Sequence, residues 1–438
     1  MTDTDAGMPA RRAALVALAA VDEDDAYANL AVPVAVDRLE EARDRAFASH
    51  LAYDTLRWQG TIDWALQQVL SRPLDAVEPA LRRILRLGAL QLLRASVPSR
   101  AAVSTSVALA REVVPGHRAQ GAGGFVNGVL RNLDRRRDEL PWPDAADEPV
   151  AALALSTAHP AWVVSDLLRR YGLDRTRAVL EADNVSPGVT LRATGDRDAL
   201  VAELVAAGLE ARPGALPESV RAPGADPRRL AAVREGRAAV QDEASLRVAH
   251  ATGTAAGDRV LDLCAGPGGK TAHLAALAGP SGRVVAVELH GHRARLVEEA
   301  AARLGVDVDV HVGDATRPPL PAEDRYDRVL LDAPCSGLGT GRRRPEVRWR
   351  RQPADASELA KLQRRLLDAA AERVVPGGTL TYAVCTWTAV ETDQVSDWFD
   401  AAHGSGFVPG ERRQLLPDVD DTDGMYVATW QRRVSTDA

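Results

Sequence analysis

Residues 261–270 read Leu-Asp-Leu-Cys-Ala-Gly-Pro-Gly-Gly-Lys, an aliphatic run followed by a glycine-rich turn and a lysine. This order predicts a strand that passes through a tight turn into a helix. Such a turn lets the backbone approach a ligand closely and directs helix N–H groups toward an anionic group. By itself, the turn does not distinguish nicotinamide or flavin binding from other nucleotide-type sites. The candidate ligand-binding residues are Cys264, Ala265, Gly266, Pro267, Gly268, Gly269 and Lys270.

Around this turn, from about residue 236 onward, strands alternate with helices. The alternation predicts an α/β fold with a mostly parallel, doubly wound sheet. The predicted strands are Val260–Leu263, Val284–Glu288, Val306–Val312, Val329–Asp332, Thr379–Val384 and Met425–Trp430. The predicted helices are Thr271–Ala278, Arg293–Leu304 and Glu358–Val374. Pro376-Gly377-Gly378 predicts a helix stop before the next strand.

Acidic residues stand at the ends of three consecutive predicted strands. Glu288 follows the glycines by about 20 residues, where an acid can hydrogen-bond ribose hydroxyls. Asp314 ends the next strand and is placed to reach an adenine amino group, and Asp332 ends the one after. Each acid alone could be an ordinary turn former. All three in this arrangement favour a nucleoside-type ligand.

The chain has three cysteines, Cys264, Cys335 and Cys385. Cys335, in Asp-Ala-Pro-Cys-Ser, and Cys385, in Tyr-Ala-Val-Cys-Thr, each follow a predicted strand, at the edge where open α/β sheets carry out chemistry. A cysteine is more commonly a small buried apolar residue. Three cysteines do not make a disulfide framework, and separations of 71 and 50 residues do not resemble a zinc site. The sequence therefore predicts reactive thiols and no metal.

The length of 438 residues predicts more than one domain. Residues 1–140 are predicted to be helical, because apolar residues recur at helical spacing, as in Leu81, Ile84, Leu85, Gly88, Ala89 and Leu92. Residues 141–235 begin at a proline-rich linker and form a small α/β connector, with a helix from Trp162 to Leu180 and a strand from Val189 to Ala193. Residues 236–438 form the α/β domain described above.

The overall charge gives little guidance about partners. The formal net charge is −7, and residues 1–140 contain 18 basic and 18 acidic residues. One local cluster, Arg342–Arg351, holds six arginines, a tryptophan and one glutamate, directly after the Cys335 loop. A charge run is usually a solvated face, but this position favours a phosphate-binding lip beside the catalytic edge.

Several of these motifs resemble those of the S-adenosylmethionine-dependent RNA cytosine-5 methyltransferases, the NOL1/NOP2/Sun family. The resemblance rests on residues 261–270, on the two cysteine motifs and on Gln241–Ser245. The segments Leu85–Leu93 and Gly124–Arg131 resemble a NusB-type RNA-binding helical domain. The family's Pro-Glu-Glu-Asn pattern after the nucleophile is reduced here to residues 389–392.

The resemblance implies a Rossmann-like class I methyltransferase sheet with an N-terminal all-α NusB-like domain and a small α/β connector. It implies methylation of cytosine C5 in small-subunit ribosomal RNA to give 5-methylcytosine, with S-adenosylmethionine as cofactor. Carbon 5 of cytosine is a weak nucleophile, so a thiolate must first add to carbon 6. The resemblance assigns that role to Cys385 and assistance in adduct release to Cys335. Asp332 is suited to hold the base, and Lys270 to polarise the base or position Asp332.

Two other functions stay open from the sequence. The sequence motifs identify the reaction better than they identify the RNA that is methylated, so a transfer-RNA cytosine-C5 methyltransferase is one alternative. The other is a non-catalytic RNA-binding or antitermination-type factor, which the retention of Cys335, Cys385 and the glycine-rich turn disfavours. We expect a cytoplasmic monomer whose partner is single-stranded or loop ribosomal RNA, without a membrane or a metal ion.

Overall fold

The computed structural model describes residues 7–434. The α-helices are α1 Met8–Glu23, α2 Ala28–Val36, α3 Ala42–Arg57, α4 Gln59–Gln67, α5 Pro79–Leu93, α6 Ser99–Val113, α7 Ala119–Arg136, α8 Pro149–Ser156, α9 Ala161–Asp183, α10 Arg197–Ala206, α11 Ala231–Arg234, α12 Glu243–Ala251, α13 Gly269–Ala278, α14 Gly291–Leu304, α15 Val347–Arg350, α16 Pro353–Glu372, α17 Asp393–His403 and α18 Pro417–Asp420. The strands are β1 Val189–Ala193, β2 Arg212–Pro213, β3 Ser219–Ala222, β4 Ala238–Val240, β5 Arg259–Leu263, β6 Arg283–Glu288, β7 Asp309–Val312, β8 Tyr326–Asp332, β9 Val374–Val384, β10 Phe407–Leu415 and β11 Met425–Arg432. Across these residues, no helix combines the length and the apolar character needed to cross a membrane.

The chain divides into two compact units. The first contains the described residues up to Asn184 together with Arg343–Arg350, and the second contains Val185–Arg342 and the described residues from Arg351 onward. The boundary at residue 184 differs from the sequence-based limits at 140 and 235, which remain predictions.

The first unit is helical, as the apolar spacing predicts. On α5, the six predicted apolar positions between Leu81 and Leu92 are all buried. On α7, Val126, Val129 and Leu130 are buried in the same core, which gathers residues from α1 to α7. A periodic apolar face is therefore what holds these helices together.

The arginine run Arg342–Arg351 was predicted to form a phosphate-binding lip, and its two buried arginines, Arg342 and Arg348, contradict that prediction. Within the first unit, Arg348 is buried and pairs with Asp183 at 2.5 Å, and the Trp349 indole N–H donates to the Leu56 carbonyl at 2.7 Å. In the second unit, Arg342 is buried and pairs with Asp421 at 3.0 Å. A buried arginine needs such partners, so the run is mainly structural.

The second unit contains two sheets. The smaller one has the order β2-β3-β1-β4 and is antiparallel, with β1 at the predicted position Val189–Ala193. The larger one has the order β10-β11-β9-β8-β5-β6-β7. Its strands from β9 to β7 are parallel, whereas β10 and β11 pair antiparallel with their neighbours. The predicted doubly wound α/β sheet is confirmed.

The predicted strand ends next to the site agree with the structure, but two other details were wrong. Residues 376–378 lie inside β9 rather than at a helix stop, beside a register shift between β8 and β9. The strand β10 was not predicted, because it is an exposed edge strand whose charged residues at 411–413 interrupt the apolar pattern expected of a strand. Both differences lie away from the carboxyl ends of the central strands.

Candidate active site

The predicted site residues gather at one edge of the large sheet. The strands β9, β8, β5, β6 and β7 are neighbours and parallel, so their carboxyl ends open on the same side. In register, Asp332 lies opposite Ala383 and Glu288 lies opposite Val312. Ligands bind at this edge in open α/β folds. The structure thus places the glycine-rich turn, the strand-end acids and both cysteine loops along one crevice edge.

The glycine-rich turn is bonded directly to the neighbouring strand. The backbone N–H groups of Cys264 and Ala265 both donate to the Val287 carbonyl, at 2.9 and 3.0 Å. Gly268, the N-cap residue of α13, has φ +97°, and a Cβ there would lie 2.8 Å from the Val297 Cα. Only glycine combines this conformation with such a close approach of two backbones. The turn is therefore tightly held and leaves the N-terminus of α13 next to the strand ends.

Glu288 holds the turn through its carboxylate. The side chain is buried, and its oxygens accept backbone N–H bonds from Gly266 at 2.9 Å and His290 at 3.1 Å. Arg293 reinforces the same corner by donating to the Gly266 carbonyl at 2.5 Å. A carboxylate oxygen can accept more than one hydrogen bond. Glu288 can therefore keep the turn in place and still accept a bond from a ligand hydroxyl.

Asp262 is a site residue that the sequence reading missed. It is buried, and one of its oxygens accepts a hydrogen bond from the Thr271 hydroxyl at 2.6 Å. The other oxygen is buried without a partner. Burial raises the pKa of Asp262 to about 7, helped by the neighbouring Asp332 and Glu288 charges. Its position mid-strand, between two leucines, made it look like an ordinary core-strand residue with no signal of this role.

Lys270 and Asp332 form an ion pair across the crevice edge. The Lys270 Nζ donates to an Asp332 oxygen at 2.7 Å, and both side chains are largely buried. Burial by itself lowers the pKa of Lys270, but the charge and hydrogen bond of Asp332, with Cys385 nearby, raise it above its usual value. The lysine is therefore held as a cation by Asp332.

The two predicted reactive thiols are neighbours. The Cys335 and Cys385 Sγ atoms are 3.3 Å apart, and both residues are partly buried. The hydrogen bond to Cys385, together with burial, raises the pKa of Cys335 well above its usual value. Cys335 is thus held as a protonated thiol whose S–H can donate to the Cys385 sulfur.

Glu391 connects the two cysteine loops, a role that is indicated only weakly in the sequence, by the reduced motif at residues 389–392. It is fully buried. One oxygen accepts the backbone N–H of Ser336 at 2.8 Å, and the other accepts the Thr388 hydroxyl at 2.8 Å. The Ser336 and Thr386 hydroxyls, each next to a cysteine, are themselves 2.8 Å apart. Glu391 therefore fixes the spacing of the two loops through backbone and hydroxyl bonds.

Two other predicted residues lie at the margin of this arrangement. Asp314 is exposed after β7 and accepts the Thr316 backbone N–H at 2.8 Å, a bond that lowers its pKa. Cys264 has φ 92° in the turn, and burial raises the pKa of its thiol. A buried neutral thiol is a poor nucleophile, which fits a packing role for Cys264.

Elsewhere in the second unit, Glu218, His250 and His273 bring potential metal-ligating atoms within 4.8 Å of one another. Both histidine Nε2 atoms lie near the same Glu218 oxygen, at 2.7 Å for His250 and 3.4 Å for His273. Burial and the Arg192 charge lower the pKa of His273 to about 3. The hydrogen bond between Glu218 and His250, beside a neutral His273, accounts for this cluster, and the expected absence of a metal stays a prediction.

Comparison with known proteins adds to this geometry. The family model "16S rRNA methyltransferase RsmB/F" matches residues 251–431, the NusB family matches residues 8–135, and the ferredoxin-like domain of RsmF/B-like proteins matches residues 159–224. A putative methyltransferase of Mycobacterium tuberculosis is 43% identical, covering 98% of this chain and 95% of that protein. Ribosomal RNA small subunit methyltransferase B of Pseudomonas putida is 34% identical, covering 96% and 98%, and the probable enzyme of that name from Bacillus subtilis is 33% identical, covering 97% and 98%.

The chain belongs to the ribosomal RNA small subunit methyltransferase B family. Among solved structures, PH0851 superposes with a TM-score of 0.86 at 26% identity, covering 97% of this chain and 99% of that one. NSun6 from Pyrococcus horikoshii with SFG has a TM-score of 0.57 at 20% identity, covering 63% and 99%, and shows the likeness of fold alone. The predicted Rossmann-like sheet with a NusB-like helical domain is confirmed, and the predicted cofactor, S-adenosylmethionine, is confirmed at the level of the family.

Proposed function

We propose that this chain methylates carbon 5 of a cytosine in small-subunit ribosomal RNA through a covalent adduct between Cys385 and carbon 6. The observation that carries the proposal is the pair of thiols 3.3 Å apart at the ends of β8 and β9, beside the Lys270–Asp332 ion pair. Buried structural cysteines do not require a neighbouring cation, whereas a nucleophilic thiolate does.

The residues around the turn fit S-adenosylmethionine. When bound, it supplies an electrophilic methyl group on a sulfonium. The unpartnered buried oxygen of Asp262 and the spare acceptor capacity of Glu288 provide polar groups for its hydroxyl or amino groups. Asp314, which follows the next strand, is the proposed acceptor for the adenine amino group. The proposed cofactor contacts are these acids, together with Asp332 and the turn residues Cys264, Ala265, Gly266, Pro267, Gly268, Gly269 and Lys270.

Cys385 begins the reaction on the base. Its thiolate adds to carbon 6 of cytosine, forming a C–S bond and moving the electron pair of the 5,6 double bond toward carbon 5. Carbon 5 then takes the methyl group. Lys270 favours the thiolate by its positive charge, and its own raised pKa keeps that charge in place. Splitting one difficult substitution into two steps is the usual benefit of covalent catalysis.

Cys335 assists the second half of the reaction. After a base removes the proton from carbon 5, the double bond forms again, the C–S bond breaks, and its electron pair returns to the Cys385 sulfur. The Cys335 S–H can donate a hydrogen bond to that departing thiolate, since its high pKa keeps it protonated. Cys335 therefore stabilises the leaving group rather than attacking the base.

Asp332 is the proposed contact to N3 and the amino group of cytosine, and its ion pair with Lys270 fixes its orientation. A base can enter a crevice at the strand ends only when it has left any helical stack. Single-stranded or loop RNA is therefore the proposed substrate, bound by a cytoplasmic monomer with a helical RNA-binding domain at residues 1–140, a connector at 141–235 and a catalytic domain at 236–438.

The test is methylation of defined RNA by the purified full chain with S-adenosylmethionine carrying a labelled methyl group. Unmodified small-subunit ribosomal RNA should be labelled, and nucleoside mass spectrometry should identify 5-methylcytosine. Label in 5-methyluridine or at a ring nitrogen would refute the proposed chemistry. Label in transfer RNA but not in ribosomal RNA would support the alternative target, and binding without any label would support a non-catalytic factor.

A further inference from the structure

The first unit carries a groove between α6 and α7 that no proposed step of the reaction uses. The cavity has a volume of about 330 Å³. Arg100, Arg111 and Arg131 stand around it, all three exposed. Among residues 7–434, none of these arginines has a carboxylate oxygen within 4.0 Å. Three arginines without a carboxylate partner around a single groove offer planar, fixed-charge donors that suit a phosphate group.

The other residues that line the groove are apolar or uncharged and polar, so the groove suits a ligand larger than a simple anion. Val103, Val107 and Ala108 supply an apolar floor, and Ser104 and Asn127 supply polar groups. The Asn127 oxygen accepts a hydrogen bond from the Arg131 Nε at 2.9 Å, which leaves the amide N–H₂ to face an acceptor. The groove therefore offers an apolar surface for a ribose or a base beside cations for a phosphate. This combination matches a single-stranded nucleic acid better than a free inorganic anion.

Arg111 is held in place by the helix that faces it. A Cβ at Gly123, on α7, would lie 2.7 Å from the Arg111 Nε and 3.0 Å from its Cγ. The arginine stem therefore crosses α7 where there is no side chain. The acid next to it in sequence, Glu112, already pairs with Arg12 at 2.8 Å and does not neutralise the groove. Such a pre-positioned cation loses less side-chain entropy when it binds a phosphate.

A second cavity in the first unit has the opposite character. It measures about 190 Å³ and is lined by Asp22, Asp25 and Glu346, with Arg350 as its cation. Residues 1–140 contain equal numbers of basic and acidic residues, so the positive groove comes from their separation rather than from an overall excess. A local basic surface of this kind is the footprint expected of a nucleic-acid site.

We infer that the α6–α7 groove binds the sugar-phosphate backbone of single-stranded ribosomal RNA, outside the nucleotide that is methylated. The inference rests on the proposed function only in its choice of RNA as partner. Arg111 and Arg131 contact phosphates, Arg100 extends the positive track, and Asn127 donates to a phosphate or ribose oxygen. The groove thus contributes affinity without reading the target base.

The experiment measures binding of the full chain to fluorescein-labelled oligouridylate by anisotropy over a series of salt concentrations. Oligouridylate has no cytosine, so this readout does not depend on methylation. The double variant Arg111→Gln/Arg131→Gln should bind more weakly and show a salt slope smaller by about 1.4, since each lost phosphate contact on single-stranded RNA removes about 0.7. The matched control Arg38→Gln/Arg43→Gln removes the same charge from exposed arginines outside the groove.

Two further variants separate the groove from general charge. Asn127→Asp places a carboxylate beside Arg131 and should weaken binding, whereas Gly123→Ala leaves the charge unchanged but displaces Arg111 and should also weaken binding. If the groove double variant has the salt slope of the control, the inference is overturned and an acidic protein becomes the alternative occupant. If the chain makes no 5-methylcytosine yet the slope falls as stated, the proposed function fails while the groove stands.

Discussion

The sulfur atoms of Cys335 and Cys385 lie 3.3 Å apart although 50 residues separate them in the sequence. The adjacent strands β8 and β9 bring them together, because Asp332 and Ala383 are in register three and two residues before the respective thiols. The raised pKa of Cys335 comes first from its hydrogen bond to Cys385, which makes Cys335 the donor and Cys385 the acceptor of the pair. This asymmetry gives the two thiols different expected phenotypes.

Replacing the two thiols should stop the reaction at different stages. Cys385→Ala should form no covalent RNA complex and transfer no methyl group. Cys335→Ala should attack and methylate but release slowly, so a denaturation-resistant protein–RNA complex should accumulate. The measurement is a denaturing gel with labelled ribosomal RNA.

Cys264→Ala is the internal control for the thiol experiment, because it keeps the backbone of the turn, including the N–H that bonds the Val287 carbonyl, and removes only a buried thiol that should not be required for turnover. A complex trapped in Cys385→Ala instead of Cys335→Ala would reverse the assigned roles. A complex in neither variant would show that the proposed release step is wrong.

Glu391→Ala should lower the rate of methylation while leaving cofactor affinity unchanged. The variant leaves the Ser336 N–H and the Thr388 hydroxyl without the carboxylate that accepts their hydrogen bonds. Each unsatisfied buried donor costs about 1–3 kcal/mol of stability. Loss of the loop spacing should reduce kcat by roughly 100-fold, the effect of about 1 Å of misplacement. Kinetics below the melting transition and calorimetric cofactor binding provide the readouts.

The control for Glu391 is Glu358→Gln, which removes an exposed ion pair with Lys361 on α16. Rescue of kcat by Glu391→Gln, which keeps one acceptor oxygen, would support positioning by hydrogen bonds. A Glu391→Ala chain with normal kcat would show that the cysteine loops keep their spacing without it.

Asp262→Asn should stabilise the cofactor-free protein more at high pH than at low pH. The pKa of Asp262 is about 7 in the folded chain and about 3.9 when unfolded, so folding takes up a proton between these values. The carboxyl therefore opposes folding increasingly as the pH rises from about 4 to about 7, and by a constant amount above.

The comparison for Asp262 uses melting temperatures at two pH values. Between about pH 5 and pH 8.5, the difference in the free energy of unfolding between Asp262→Asn and the parent protein should grow in favour of the variant by on the order of 3 kcal/mol. Asp138→Asn, at an exposed position, should show no such trend. An advantage that does not change with pH would mean that Asp262 titrates at an ordinary value.

Asp314→Ala should weaken S-adenosylmethionine binding without altering the fold. Its carboxylate is exposed and bonds the Thr316 backbone, so its removal strands no buried donor. Loss of one ligand hydrogen bond should cost about 1–3 kcal/mol in calorimetric affinity. Asp309→Ala, at the other end of β7, is the matched control. Equal affinity in both variants would remove Asp314 from the cofactor site.

The sequence predicted the parts of the site that depend on strand order. Aliphatic runs that end in acids or cysteines define the parallel strands, and parallel strands share a carboxyl edge, so Glu288, Asp332 and Cys385 could be placed together in advance. Asp262 and Glu391 could not, because their roles depend on burial and on hydrogen bonds formed only after folding. The same limit applies to Arg348, whose partner Asp183 is 165 residues away.

The presence of Arg343–Arg350 in the helical unit has a consequence for biosynthesis. The Trp349 ring covers Gly60, so that a Cβ there would lie 2.3 Å from it, and Arg348 pairs with buried Asp183. On the ribosome, the first 184 residues emerge long before these partners do. The helical unit therefore cannot complete its packing until most of the catalytic sheet has been translated, and a fragment ending at residue 184 should retain an incompletely paired Asp183 and an open apolar surface for chaperones to bind.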